Sequence, residues 1–190
     1  MQSLDSSFEE LCERIKQGRE LNFVSFDPVF YLVFHPEWML DVKKKTRSWL
    51  SKLRNAGYKV VTFSIADEID DIFNKSPFKE LILEEEKEAG EDLITYKGTM
   101  EDLILNQDPI HERLQAKIDE AATHTKGLVL ITDLEALHPF TRIGVIEAKI
   151  EAGSVPVVIT YPGTRSGKTS LKFLGFYPED GNYRSVHIGG

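Results

Sequence analysis

The stretch KGLVLITDLEALHPFTRIGVIEAKIEAGSVPVVITYPGTRSGK, residues 126–168, decides how the whole chain is read. Residues 128–132 (LVLIT) and 155–161 (VPVVITY) are apolar, largely β-branched runs, the first flanked by Gly127 and Asp133, the second by Gly153 and Gly163. Runs of this length without in/out alternation suit strands covered on both faces, as in a parallel sheet. Between them, Pro139 stands where a helix can begin at no cost, because its fixed φ suits the first turn and its missing N–H would have no partner there. Phe140, Ile143, Ile146 and Ile150 then recur at helical spacing, and Gly153 fits a left-handed C-cap. Strand, helix and strand of this size predict a βαβ unit with a right-handed crossover. Ligands in such sheets bind at the carboxyl ends of the strands. Asp133, His138, Arg142, Tyr161, Gly163, Arg165, Gly167 and Lys168 fall near those ends and form the candidate anion- or partner-binding site.

The 190 residues are expected to make a single α/β domain, residues 1–190. A hydrophobic content of 41% is enough for a core, and no apolar run reaches the ~20 residues of a membrane span. The opening MQSLDSSFEELCER carries charge where a signal peptide would be apolar, so a cytoplasmic location is expected. Cys12 is the only cysteine, which excludes an intrachain disulfide. Five scattered histidines and one cysteine give no zinc-ligand spacing, and no cofactor or metal is expected. The net charge of −8 argues against charge-driven nucleic-acid binding by the surface as a whole.

Outward from the central stretch, Ser6-Ser7-Phe8-Glu9 fits a capping box with Ser6 as N-cap, and Phe8, Leu11 and Ile15 mark the buried stripe of an opening helix. Cys12, beside that stripe, reads as a packing residue. Residues 29–34 (VFYLVF) are a first strand, ended by His35-Pro36. Val42, Thr46, Trp49, Leu50 and Leu53 line the next helix, closed by Gly57. Its other positions include Lys43, Lys44, Lys45, Arg47, Lys52 and Arg54, which in an acidic chain read as a solvated face rather than a nucleic-acid patch. Residues 58–63 make a second strand. The pattern weakens over 66–106, where an acidic helix at 67–73 and another around Phe78, Leu81 and Ile82 predict a helical insertion, interrupted at Gly90 and Gly98. Asp108-Pro109 starts a helix carrying Ile110, Leu114, Ile118 and Ala121. After Tyr161 the sequence predicts a Gly-rich turn, a short helix at 170–174, a turn at Asp180-Gly181-Asn182 and a last strand at 183–188. The fold class is therefore α/β: a three-layer, mainly parallel, Rossmann-like sheet of about five strands with a helical insertion.

Residues 162–169, PGTRSGKT, come close to a phosphate-binding P-loop, G-x-x-x-x-G-K-[ST], after a strand. Pro162 holds the place of the first glycine, and it removes an N–H from a loop whose amides would cradle phosphate. The strand-end acid, Asp133, also precedes the loop, the reverse of the usual order. A degenerate P-loop in a phosphate- or nucleotide-handling enzyme is the alternative reading, with Asp133, Arg142, Arg165 and Lys168 converging on one pocket. Asp133 serves equally as a turn residue and His138 as a cap for the helix at Pro139. No Ser/His/Asp, Cys/His or paired-carboxylate arrangement can be read from spacing.

Residues 30–34 followed by a long helix, then Leu130-Ile131-Thr132 leading to His138-Pro139-Phe140-Thr141-Arg142, resemble the BrxB family of bacterial BREX (bacteriophage exclusion) systems. The later Tyr161-Pro162-Gly163, Gly167, Ser170-Leu171, Phe173, Gly175 and Asn182-Tyr183-Arg184 share in the resemblance. It makes Pro162 part of a family pattern, which weighs further against a P-loop. It implies a non-catalytic accessory or assembly subunit with an ATPase-like α/β fold lacking intact nucleotide machinery. The partners it implies are an AAA-type ATPase, an alkaline-phosphatase-like protein and a DNA methyltransferase.

Overall fold

A computed structural model describes residues 3–20, 28–89, 94–166, 170–181 and 185–190. Helix α1 (Leu4–Glu20) is followed by strand β1 (Val29–Phe34), helix α2 (Met39–Asn55), strand β2 (Lys59–Ser64) and helix α3 (Ile65–Lys75). Then come α4 (Lys79–Ala89), α5 (Ile94–Asp102) with a π-helical turn Leu103–Gln107, α6 (Ile110–Ala122) and β3 (Gly127–Thr132). A short helix α7 (Ile143–Glu147) leads to β4 (Val157–Ser166), β5 (Ser170–Phe173), β6 (Glu179–Gly181) and β7 (Val186–Gly189).

The sheet runs β2-β3-β4-β1-β7, and every pairing in that path is parallel. The two continuous apolar runs are neighbours in its middle, with Ile131 opposite Ile159. All six residues of β1 are buried, as are five of six in β3. This is why neither shows an alternating pattern: each side chain, up or down, meets a covering layer. On one side, Phe30, Leu32, Leu128, Leu130 and Val158 pack under α1 and α2, where the Phe8 and Trp49 rings stack at 4.8 Å. On the other, Tyr31, Val33, Val129, Ile131 and Ile159 pack under α3, α6 and α7. Three layers result, of the α/β class expected. Among the described residues, no helix is long and apolar enough to cross a membrane.

Several local expectations are corrected. Helix α1 starts three residues early, at Leu4, and Ser3, not Ser6, caps it by accepting the Ser6 N–H at 3.2 Å. Strands β1 and β2 flank α2 in sequence but are separated in the sheet by β3 and β4. Pro139 does not open a helix. Leu134 and Leu137 already bury themselves from a 3₁₀ turn, the His138–Pro139 peptide is cis, and the helix begins only at Ile143. Gly153 is left-handed (φ +57°) but lies beyond the helix end, so it turns the chain into β4 rather than capping α7. The short helix expected at 170–174 is absent, and no turn begins at Pro162: β4 continues through Pro162, Gly163 and Arg165, and residues 170–173 pair with it antiparallel, while residues 167–169 of the expected Gly-rich turn lie outside the described residues. Position 163 requires glycine, since a Cβ would lie 2.5 Å from the Lys172 carbonyl oxygen and 2.6 Å from the Tyr161 ring. The last strand is shorter than predicted, and the expected turn and strand residues 182–184 lie outside the described residues.

Candidate functional site

The connection leaving β1 carries α2 across one face of the sheet, while those leaving β2 and β3 carry α3, α6 and α7 across the other. Strands β3 and β1, which feed opposite faces, stand on either side of β4, and the crevice between their connections opens at the carboxyl ends, where open α/β sheets bind ligands. A cavity of about 220 Å³ lies there, lined by Phe34, Lys43, Thr46, Thr132, Asp133 and Thr160 among others. This falls below the roughly 300–1,000 Å³ of sites for drug-sized ligands.

Its chemistry centres on Lys43, one turn into α2. The Lys43 ammonium lies 2.8 Å from Asp133 Oδ1 and 2.8 Å from Glu135 Oε1. Asp133 is held in place by backbone and side-chain bonds alike. It sits in the left-handed region (φ 57°), which aspartate tolerates better than most residues. Thr132 Oγ1 donates to its Oδ2 at 2.8 Å, and Ser64 Oγ at 3.0 Å. Ser64 also caps α3, accepting from the Asp67 N–H at 3.2 Å, so the ends of β2 and β3 are tied together here. Burial pushes the Asp133 carboxyl upward, but the Lys43, Thr132 and Ser64 bonds outweigh it and hold its pKa below the ordinary value. Both carboxylates pull the Lys43 pKa well above its usual value. Thr46 and Thr160 turn their hydroxyls to the carbonyls of Val42 and Ile131. The crevice thus satisfies its own charges.

The predicted site residues do not assemble in this crevice. Asp133 lines it. Tyr161 is buried under the opposite face, edge-on to Tyr31 at 5.4 Å. His138 accepts or donates through Nδ1 to the Tyr177 hydroxyl at 2.5 Å and meets the exposed Phe176 edge-on. Tyr177 packs on Phe173, which packs on Tyr161, so His138 belongs with the Tyr161 layer. Arg142 stands immediately before α7 and lends positive charge to the Tyr177 surroundings. Gly163 and Arg165 are in the antiparallel extension of β4, where Arg165 Nη1 reaches the His187 carbonyl oxygen at 3.4 Å. Gly167 and Lys168 lie outside the described residues. A P-loop joins a strand to a helix. The strand–turn–helix at the crevice is instead β1 to α2, through His35-Pro36-Glu37-Trp38, which contains no glycine.

Sequence reasoning missed Lys43, counted as one of six solvated cations. An acid directly after a buried strand needs a cation, and that was the available clue. It also missed the Tyr31 hydroxyl donating to Glu147. Beside that bond lies His187, its pKa lowered by burial and by the Arg165 charge.

Fold and crevice together define a three-layer parallel α/β domain whose strand-end site is closed by its own ion pairs. Residues 61–188 match the family described as BREX protein BrxB, and the chain belongs to that family. Membership implies a component of a BREX phage-defence system. Neither curated proteins nor solved structures give a match.

Proposed function

We propose that the protein is a non-catalytic accessory or assembly subunit of an anti-phage BREX complex, acting by binding partner proteins. The observation that carries this reading is Lys43. At the position where an α/β sheet offers ligands its strand-end acids, the ammonium takes both Asp133 and Glu135. A catalytic metal would have to displace it from both carboxylates, and a nucleotide phosphate would have to compete with both for it, in either case at the cost of short charge-assisted bonds. The run 162–166 supports the same reading from another side, because its backbone amides serve a β-ribbon. The candidate partners are the AAA-type ATPase, the alkaline-phosphatase-like protein and the DNA methyltransferase of such a system.

Two measurements test this together. Isothermal titration with Mg-ATP and Mg-GTP is expected to give no micromolar binding. Co-purification with each candidate partner, one at a time, is expected to give a stoichiometric complex with at least one. Micromolar nucleotide binding that disappears in Asp133→Asn, with no complex formed, would replace the docking reading with the enzymatic one.

A further inference from the structure

The net charge of the chain is concentrated in one place. Residues 65–107 contain thirteen acidic and four basic residues, a net −9, against −8 for the whole molecule. The remainder is therefore close to neutral. Inside this region much of the charge is already used. Arg113 of α6 binds Asp108, Glu68 and Asp71, at 2.5, 2.9 and 2.8 Å, and fastens α3 to α6. On the outer face of α4 the acids are unmatched: no lysine or arginine among the described residues pairs with Glu80, Glu84 or Glu88.

Beside them two large apolar side chains are about half exposed, Leu81 of α4 at 49% and Phe78, in the turn just before the helix, at 41%. Leu81, Glu84 and Glu88 follow at helical spacing of three and four, so they share one stripe. Ser76 ends α3 and starts α4, accepting the Phe78 N–H on its hydroxyl at 3.0 Å, and Ile82 beneath is fully buried. An apolar anchor on a helix whose five glutamates outnumber Lys79 and Lys87 has the anatomy of an interaction surface.

We infer that the exposed face of α4, with Phe78 and Leu81 at its centre and Glu80, Glu84 and Glu88 at its rim, docks a basic amphipathic helix of a partner protein. This deepens the docking reading above and rests on it. Charge complementarity selects the occupant: lysine or arginine flanks answer the glutamates, and an apolar stripe covers Phe78 and Leu81. A second copy of the chain is the weaker occupant, because four of the six bases of its basic helix α2, Lys43, Lys44, Lys45 and Lys52, are already paired within the chain, which leaves Arg47 and Arg54.

The test uses the full chain and its Phe78→Ser/Leu81→Ser variant, with folding of both checked by thermal melting. The probes are a lysine–leucine amphipathic helical peptide, a scrambled peptide of equal charge, and a glutamate–leucine peptide, followed by titration calorimetry. The lysine–leucine peptide is expected to bind, to weaken about tenfold in the variant, and to weaken further at high salt. The other two peptides are expected not to bind measurably. No binding, equal binding of the scrambled peptide, or binding unchanged in the variant would overturn the inference. Self-association lost in the variant would also overturn it, in favour of a second copy. The partner complex distinguishes the two levels of the argument. If it forms undiminished with the variant, this surface is wrong and the docking reading stands. If the unsubstituted chain forms no complex at all, the docking reading itself fails.

Discussion

The two faces of the sheet are covered by the same kind of element in different ways. Under α1 and α2, two helices of 17 residues each lie over the sheet, Phe8 stacks on Trp49, and charges cross between the helices as Lys45–Asp5 and Lys52–Glu9 pairs. Under the other face, the cover is assembled from α3, α4, α5, α6 and α7, none longer than 13 residues, with acids in excess and apolar side chains left outside. The first face pairs most of its lysines within the chain and leaves Leu40 of α2 exposed. The second carries a surplus of charge and apolar area that a partner would complete.

The largest expected effect removes both faces at once. Ile131→Asp places an unpaired charge on the fully buried β3, and its cost of several kcal/mol approaches a domain's net ~5–15 kcal/mol. The variant is expected to be insoluble or to show no cooperative melt. A soluble, cooperatively melting product would mean that the shared sheet is not the core. Next, Trp49→Ala in the long-helix cover is expected to cost about 3–5 kcal/mol by urea unfolding. Native-state hydrogen exchange sharpens the contrast further. Helix α4 buries only Ile82 among its described side chains, so its amides are expected to exchange well before those of α2. Equal protection in both would break the comparison.

Lys43→Met tests the crevice between the faces. Two carboxylates would lose their common cation, and a loss of about 1–3 kcal/mol at neutral pH is expected. The sign of the pH dependence follows from Asp133, whose folded pKa lies below its unfolded value. Its contribution is present above about pH 4 and is lost as pH falls through the folded pKa. In Lys43→Met the carboxyl pKa rises, so the difference between variant and parent should shrink on acidification. A gap that stayed constant from pH 7 to acid would show that Lys43 acts through packing of its stem alone. The smallest effect is expected for Phe78→Ser/Leu81→Ser, within about 0.5 kcal/mol per site of the parent, because both side chains are already in water.

What the sequence disclosed depended on burial. Strands β1, β3 and β4 were legible because unbroken apolar runs have few alternatives, and α6 because Ile110, Leu114, Ile118 and Ala121 all point into one core. The chain after Asp133 was misread, because Phe140, Ile143, Ile146 and Ile150 satisfy a helical period after Pro139, while the helix holds only Ile143–Glu147 and a 3₁₀ turn at Leu134–Leu137 precedes it. Residues 162–166 and 170–173 were misread because proline, glycine and small polar residues suit a loop as well as a twisted antiparallel ribbon. Site residues were the least legible. His138 and Tyr161 drew attention as chemistry and serve as aromatic packing, whereas Lys43 looked like solvent-facing charge and neutralises the crevice.

The position of β1 in the sheet sets a timetable for synthesis. Its parallel partners are β4 and β7, and Val29 meets Val157, 128 positions later in the chain. At ~5–20 residues per second the ribosome needs on the order of ten seconds to supply that partner. Throughout that interval VFYLVF, six apolar residues with high strand propensity, has been made and has neither neighbour to pair with. The nascent chain must therefore be guarded at what will become the middle of its sheet, and its yield in the cell will follow how quickly residues 157–189 arrive.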